Sequence, residues 1–163
     1  MQLMEGLPYL SGESPRVLIL GSFPGTRSLE TGEYYANPRN QFWRIIESIW
    51  EISSVLPYIE RIEEIKSAGI ALWDVIQSCE RHGAMDCRIR NVHVNDIAGV
   101  IKAYPSIQLV IANGRTAERY LSKAWPRGFP GVVVGVFPST SPANARMSFE
   151  EKVRAWNRIS ELS

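Results

Sequence analysis

Apolar positions along the chain follow two alternating rhythms. Short uninterrupted runs of aliphatic and β-branched residues are separated by longer stretches in which apolar residues recur every three or four positions. Arg16 to Gly21 is the first buried strand, and Gln41 to Ile52 a helix that places Phe42, Ile45, Ile46, Ile49 and Trp50 on one face. Tyr58 to Ser67 continues helically, and Gly69 to Val75 supplies a second strand. Asn95 can cap a helix carrying Ile97, Val100, Ile101 and Tyr104 on one stripe, which Pro105 stops. Ile107 to Ala112 forms the third strand. Asn113-Gly114 suggests a hairpin, yet Ala117, Tyr120, Leu121 and Ala124 follow at helical spacing, so a helix is expected instead. Gly131 to Phe137 is the fourth strand, and Ser148 with Glu151 has the spacing of a capping box opening a last helix, with Phe149, Val153 and Trp156 inward.

This order predicts an α/β sandwich around a parallel sheet, with ligands meeting the loops beyond the carboxyl ends of the strands. Those loops are Ser22 to Asn40, Asp74 to Asn91, Asn113 to Thr116 and Pro138 to Met147. Three are rich in Asn, Ser, Pro and Gly, more elaborate than turning the chain requires.

Composition narrows the picture only in places. With 163 residues, 45% of them hydrophobic, one domain spanning 1–163 is the economical reading. A formal net charge of +1 argues against a histone-like polycation and leaves a local basic face open. The sequence shows no leader pattern and no apolar run long enough for a bilayer, so no membrane association is expected. Cys79 and Cys87 are the only cysteines, which suits free thiols in the cytoplasm.

GSFPGTRS, Gly21 to Ser28, invites a phosphate-loop reading. It has neither the Lys-Ser/Thr pair of an ATP loop nor the three spaced glycines of a dinucleotide loop. A nucleotide cofactor is therefore not expected.

The blocks GSFPGTRSLETGEYYANPRNQFWRII, GIALWDVIQSC, IANGRTA and PSTSPANARMSFEEK together resemble the uracil-DNA glycosylase superfamily, and within it the hypoxanthine-DNA (deoxyinosine) glycosylase branch. The resemblance spans about residues 16 to 156. It implies a four-stranded parallel sheet flanked by helices as a three-layer sandwich, a pocket at the rim, and a monofunctional enzyme excising a deaminated base from DNA with no cofactor and no metal. A monomer is the expected state.

A base inside a duplex must be extruded, stacked and read along its edge. Tyr35 matches the position of a base-stacking aromatic in related enzymes, and Phe23 is a second candidate for the pocket wall; the alternative is that Tyr34, Tyr35 and Phe23 anchor the loop. Bond cleavage builds positive charge on the sugar and negative charge on the base. Many relatives place a carboxylate or carboxamide before the proline of the first loop to position water, and here that residue is Phe23, which can do neither. In the hypoxanthine branch the role is attributed to the Asn that matches Asn40, whose alternative use is to cap the following helix.

Asp74 aligns where uracil-specific relatives carry an Asn that reads the pyrimidine edge. An ionised Asp accepts only, so it suits N1–H of hypoxanthine over the bare N1 of adenine, while Asn113 donates to O6. Asp74 as general base, or as a loop cap or partner of Arg81 or Arg88, are the competing readings. Ser22 belongs to the glycine loop at the pocket. Ser139, Ser141, Asn144 and Arg146 occupy the segment that enters the minor groove and meets phosphates, with Asn144 or Met147 at the wedge position. Arg27, Arg39, Arg81, Arg88, Arg90 and Arg115 lie near the rim among acidic residues, a pattern equally typical of a solvated surface. Cys79, His82, Cys87 and His93 have a spacing that a structural zinc would need, with two cysteines too few for an iron–sulfur cluster. Uracil or mismatch excision by the same pocket, and a DNA-binding protein without catalysis, are the alternative functions.

Overall fold

The computed structural model describes residues 3–81 and 89–162. Its elements in chain order are β1 (Leu3–Glu5), β2 (Val17–Gly21), α1 (Thr26–Thr31), α2 (Phe42–Trp50), α3 (Tyr58–Ser67), β3 (Ile70–Asp74), β4 (Ile76–Arg81), β5 (Ile89–Val94), α4 (Ile97–Ala103), β6 (Leu109–Asn113), α5 (Arg115–Ala124), β7 (Val133–Phe137), α6 (Phe149–Trp156) and α7 (Ile159–Leu162).

Four strands form a parallel sheet in the order β3-β2-β6-β7, and all three pairings are parallel. The uninterrupted apolar runs are explained by burial on both faces. Leu18 and Leu20 of β2 join Val110 and Ala112 on one side, under Ile97 of α4 and Ala117 and Leu121 of α5. Ile19, Leu72 and Ile111 face the other way, against Phe42, Ile45 and Ile46 of α2, Ile65 of α3 and Trp156 of α6. Each of the Val, Leu, Ile and Phe side chains withdrawn from water stabilises the fold by about 1.5–3 kcal/mol. Parallel pairing brings the carboxyl ends of β2, β3, β6 and β7 to one rim.

Three boundaries depart from the periodicity. α2 stops at Trp50 because Glu51 adopts a left-handed conformation, φ 59°. The cap of α4 is Asp96, whose side chain accepts from Gly99 N, while Asn95 is buried and turned to another task. The stretch from Asp74 to Asn91, expected as a loop, instead contains β4, which pairs antiparallel with β1 and β5 in a second sheet ordered β1-β4-β5. Only scattered apolar residues mark these strands, and the polar stretch after Arg81 obscures their alternation. A short helix, α1, also sits inside the long first loop, where its apolar content is too small to show periodicity. The capping box of α6 forms as expected, with Glu151 N donating to Ser148 Oγ and Ser148 N to Glu151 Oε1. Among the described residues no helix is long and apolar enough to cross a membrane.

Candidate active site

Gly21 ends β2 and lies beside Asp74, the last residue of β3. A Cβ on Gly21 would stand 2.5 Å from Asp74 Oδ1 and 3.2 Å from the Tyr35 hydroxyl. Glycine is thus required for close approach of two polar groups rather than for cradling a phosphate. Asp74 is 5% exposed. Its main-chain carbonyl accepts from Asn95 Nδ2 at 2.8 Å, and Asn95 N donates to Val75 O at 2.8 Å, so the side chain expected as a helix cap pins the end of β3.

Tyr35 reaches this place from the first loop through a left-handed backbone, φ 56°, an uncommon conformation for an aromatic residue that only a firmly held loop sustains. Its ring lies on Phe42 with centroids 3.9 Å apart and planes 15° from parallel. Its hydroxyl accepts from Asn113 Nδ2 at 3.3 Å. Burial first, and the Asp74 charge second, push the Tyr35 phenol well above its ordinary value, against a smaller opposing effect of the Asn113 hydrogen bond. Tyr35 therefore stays a neutral phenol.

Asn113 closes β6 and is 8% exposed. Its Nδ2 also donates to Thr140 Oγ1 at 3.0 Å, and its Oδ1 accepts from Thr140 N at 3.1 Å. Both amide protons are engaged, which fixes the side chain. The next residue, Gly114, has φ 98°, and a Cβ there would meet Ser139 Cβ at 2.9 Å, so glycine lets the last loop pack on the end of β6.

Asn40 uses Oδ1 to accept from Phe42 N at 2.9 Å, in keeping with the helix-start alternative, and its N donates to Asn37 O. It is half-buried and lines a cleft of about 330 Å³ together with Tyr35, Asn37, Arg44, Ser54 and Arg61. Neither Asp74 nor Asn113 lines that cleft. Tyr35 belongs to both places: its hydroxyl joins Asp74 and Asn113, and the residue borders the space at Asn40. A second link runs through Gln41, whose N donates to Thr140 O at 3.0 Å and whose Oε1 accepts from Lys152 Nζ at 2.8 Å. Lys152 is 2% exposed, and burial pushes its ammonium below the ordinary lysine value.

The remaining sequence candidates separate into distinct settings. Ser22 is half-buried, and its carbonyl accepts from Ile76 N. Phe23 packs with Ile76 and Cys79 beneath the second sheet, with the Arg81 guanidinium 5.1 Å above its ring, so it is a core residue there. In the last loop, Ser141 N donates to Ser139 Oγ, Ala143 N to Ser141 Oγ, and Asn144 Nδ2 to Ser139 O. Asn144 thus folds back onto its own loop, Met147 is half-buried and Arg146 is exposed. Arg27, Arg39, Arg90 and Arg115 are exposed, whereas Arg81 is buried. Cys79 is buried and His93 is exposed on β5; His82, Cys87 and Arg88 lie outside the described residues, among which no group of three metal-ligating side chains occurs.

Sequence reasoning missed Asn95, Thr140, Gln41 and Lys152 as members of this network. Lys152 carried a signal: it stands three residues after Phe149 and four before Trp156, on the inward stripe of α6.

The profile described as "Uracil DNA glycosylase superfamily" matches residues 8–160. Over 158 residues the chain is 35% identical to the hypoxanthine DNA glycosylase of Methanosarcina acetivorans, covering 96% of this chain and 98% of that one. The protein of the same name from Methanosarcina barkeri is 32% identical over 93% of this chain and 94% of its own. A G/U mismatch-specific uracil DNA glycosylase of Schizosaccharomyces pombe is 25% identical over 98% of this chain, which spans 54% of that protein. A solution NMR structure from Methanosarcina acetivorans, provisionally described as a uracil DNA glycosylase, superposes with a TM-score of 0.80 at 31% identity, covering 98% of this chain and 99% of the other. The chain belongs to the uracil DNA glycosylase superfamily.

Proposed function

We propose that this protein is a monofunctional DNA glycosylase that releases a deaminated base, hypoxanthine foremost, from DNA. The observation that carries the proposal is the buried polar floor in which Asp74, Asn113 and the Tyr35 hydroxyl converge at the ends of β3, β6 and the first loop. The two relatives named hypoxanthine DNA glycosylase support the choice of base.

In this reading the everted purine lies on the Tyr35 ring face opposite Phe42, extending an existing stack. Asp74 accepts from the purine N1–H. Asn113 has no spare amide proton, so O6 takes the place of the Tyr35 hydroxyl as acceptor of its Nδ2. The 3.3 Å bond to Tyr35 is the longer of the two and is the one exchanged. Hydrolysis breaks the N9–C1′ bond with its electron pair leaving on the purine; water adds its oxygen to C1′, and the proton it loses balances the one the purine gains. Asn40 holds that water: its Oδ1 has a second lone pair beyond the one given to Phe42 N, and its amide nitrogen donates. Ser139, Ser141 and Arg146 meet the backbone of the strand. The cytoplasmic, monomeric working state expected from the sequence forms part of the same proposal.

The test uses single- and double-stranded oligonucleotides carrying inosine, uracil, xanthine or a mismatch, with alkaline cleavage of the abasic product. Strand scission at inosine, and its loss in Asn40→Ala, is the expected result. Scission at uracil alone would favour the activity named for the fission yeast relative. No scission at any lesion would leave a DNA-binding protein.

A further inference from the structure

We infer that the cleft of about 330 Å³ beside Asn40 is a seat for a backbone phosphodiester of the substrate strand, held by Arg61 and Arg44. The inference rests on the glycosylase reading for the identity of the strand, and on the cleft itself for the chemistry.

Both arginines are ordered by aromatic faces. The Arg61 guanidinium carbon lies 4.6 Å from the centroid of Trp43 and 5.5 Å from that of Tyr58, and its Nε donates to Leu56 O at 2.9 Å. Arg44 lies 4.4 Å over Phe149. A guanidinium held over an aromatic face gives that face no hydrogen bond, so its N–H groups stay available, and a guanidinium edge matches two phosphate oxygens. With Nε of Arg61 occupied, its orientation is set. Neither of its terminal nitrogens, and no side-chain nitrogen of Arg44, has a hydrogen-bond partner among the described residues. Among those residues the one ion pair within 4.0 Å joins Lys66 to Glu63, so neither arginine is neutralised by contact.

The lining adds Asn37 and Asn40 as polar groups, Ser54, whose hydroxyl and N–H donate to Glu47, and one carboxylate, Glu33. A second carboxylate, Glu47, is bound to Ser54 at the cleft wall, so the attraction for a phosphodiester rests on the free terminal N–H groups of the two arginines and not on a net excess of charge. Position supplies the rest of the argument. Asn40 and Tyr35 form part of the same wall, so a strand that delivers a nucleotide to them runs its backbone past this opening. None of its lining residues belongs to the Ser139–Arg146 segment.

The test measures binding of the full-length protein to an inosine-containing single strand in which each phosphate in turn is replaced by a neutral methylphosphonate. Neutralising one phosphate near the inosine should weaken the wild type about tenfold. Arg61→Gln should be about tenfold weaker on the unmodified strand, lose its response at that one phosphate, and flatten the salt dependence by about one. Arg44→Gln, at an exposed position where folding is not at stake, should show the same loss in smaller measure. Wild-type affinity in both variants, or an undiminished response at every phosphate, would overturn the inference. Base release is scored separately on the same strands. Phosphate coupling without release would uphold the anion seat and sink the glycosylase reading; release without coupling would do the reverse.

Discussion

The floor of the candidate site and its lip are built on opposite plans. The floor comprises Asp74, Asn113, Thr140 and the Tyr35 hydroxyl; its three strand-end and loop residues are at most 8% exposed, and Asn113 commits every hydrogen-bonding group of its side chain to neighbours distant in sequence. The lip, Ser141 to Arg146, is half-buried or exposed, and its hydrogen bonds close within five residues. A floor of this kind is preorganised: its donors and acceptors stand in place before a ligand arrives, which favours discrimination between bases. A lip held only by local turns adapts at little energetic cost, which suits a backbone that looks alike at every sequence.

Substitutions in the floor should therefore be severe, and those in the lip mild. Asn113→Ala removes the acceptor for buried Thr140 N and the donor we propose for the base; stability should fall by about 1–3 kcal/mol, and kcat/KM by about 100-fold or more. Chemical denaturation and single-turnover base release read the two effects separately. Gly21→Ala drives a methyl group toward Asp74 Oδ1, displacing the floor without removing any polar group, and a shift of this size should lower activity about tenfold to 100-fold.

Lys152→Met probes the link between floor and first loop. The ammonium is buried with one hydrogen bond given, to Gln41, so an apolar residue of similar shape should leave the melting temperature unchanged or raised. Activity should nonetheless fall several-fold, because Gln41 loses the contact that holds it while its N–H still bonds Thr140. The pH dependence has a definite sign. The wild-type lysine is harder to protonate folded than unfolded, so wild-type stability should gain on the Met variant as pH rises toward 10.5, and the gain should vanish at neutral pH. Tyr34 and Tyr35 act in the opposite sense: both phenols are raised above 10.0 by burial first, so the stability they contribute is present below that pH and lost above it. Tyr35→Phe should make the alkaline loss shallower. At the far end, Arg146→Ala should weaken DNA binding only a few-fold, reduce the salt slope by about one, and leave single-turnover rates intact.

The fold is legible because burial on both faces writes the parallel strands as continuous apolar runs, and periodicity alone bounds the helix Tyr58–Ser67 where the structure has it. The second sheet is not, since β4 and β5 are short, half-polar and interrupted, and two-residue alternation needs longer runs to stand out. At the site, motif resemblance brings Asp74, Asn113 and Tyr35 to notice, and the structure sets them together. For Phe23 the sequence position suggests the pocket wall, and only the structure shows its side chain packing with Ile76 and Cys79 under β4. Asn95 misleads because asparagine before an apolar stripe reads as a cap, and nothing local reveals a bond to a carbonyl 21 residues earlier.

The claim that the floor reads the base is tested most directly by one ratio: kcat/KM for deoxyinosine over deoxyuridine in the same strand, in wild type and in Asp74→Asn. Asn can donate where Asp cannot, so the variant should accept the O4 edge of uracil, and the ratio should fall about tenfold or more. An unchanged ratio, with turnover retained, would contradict the account and remove Asp74 from base recognition.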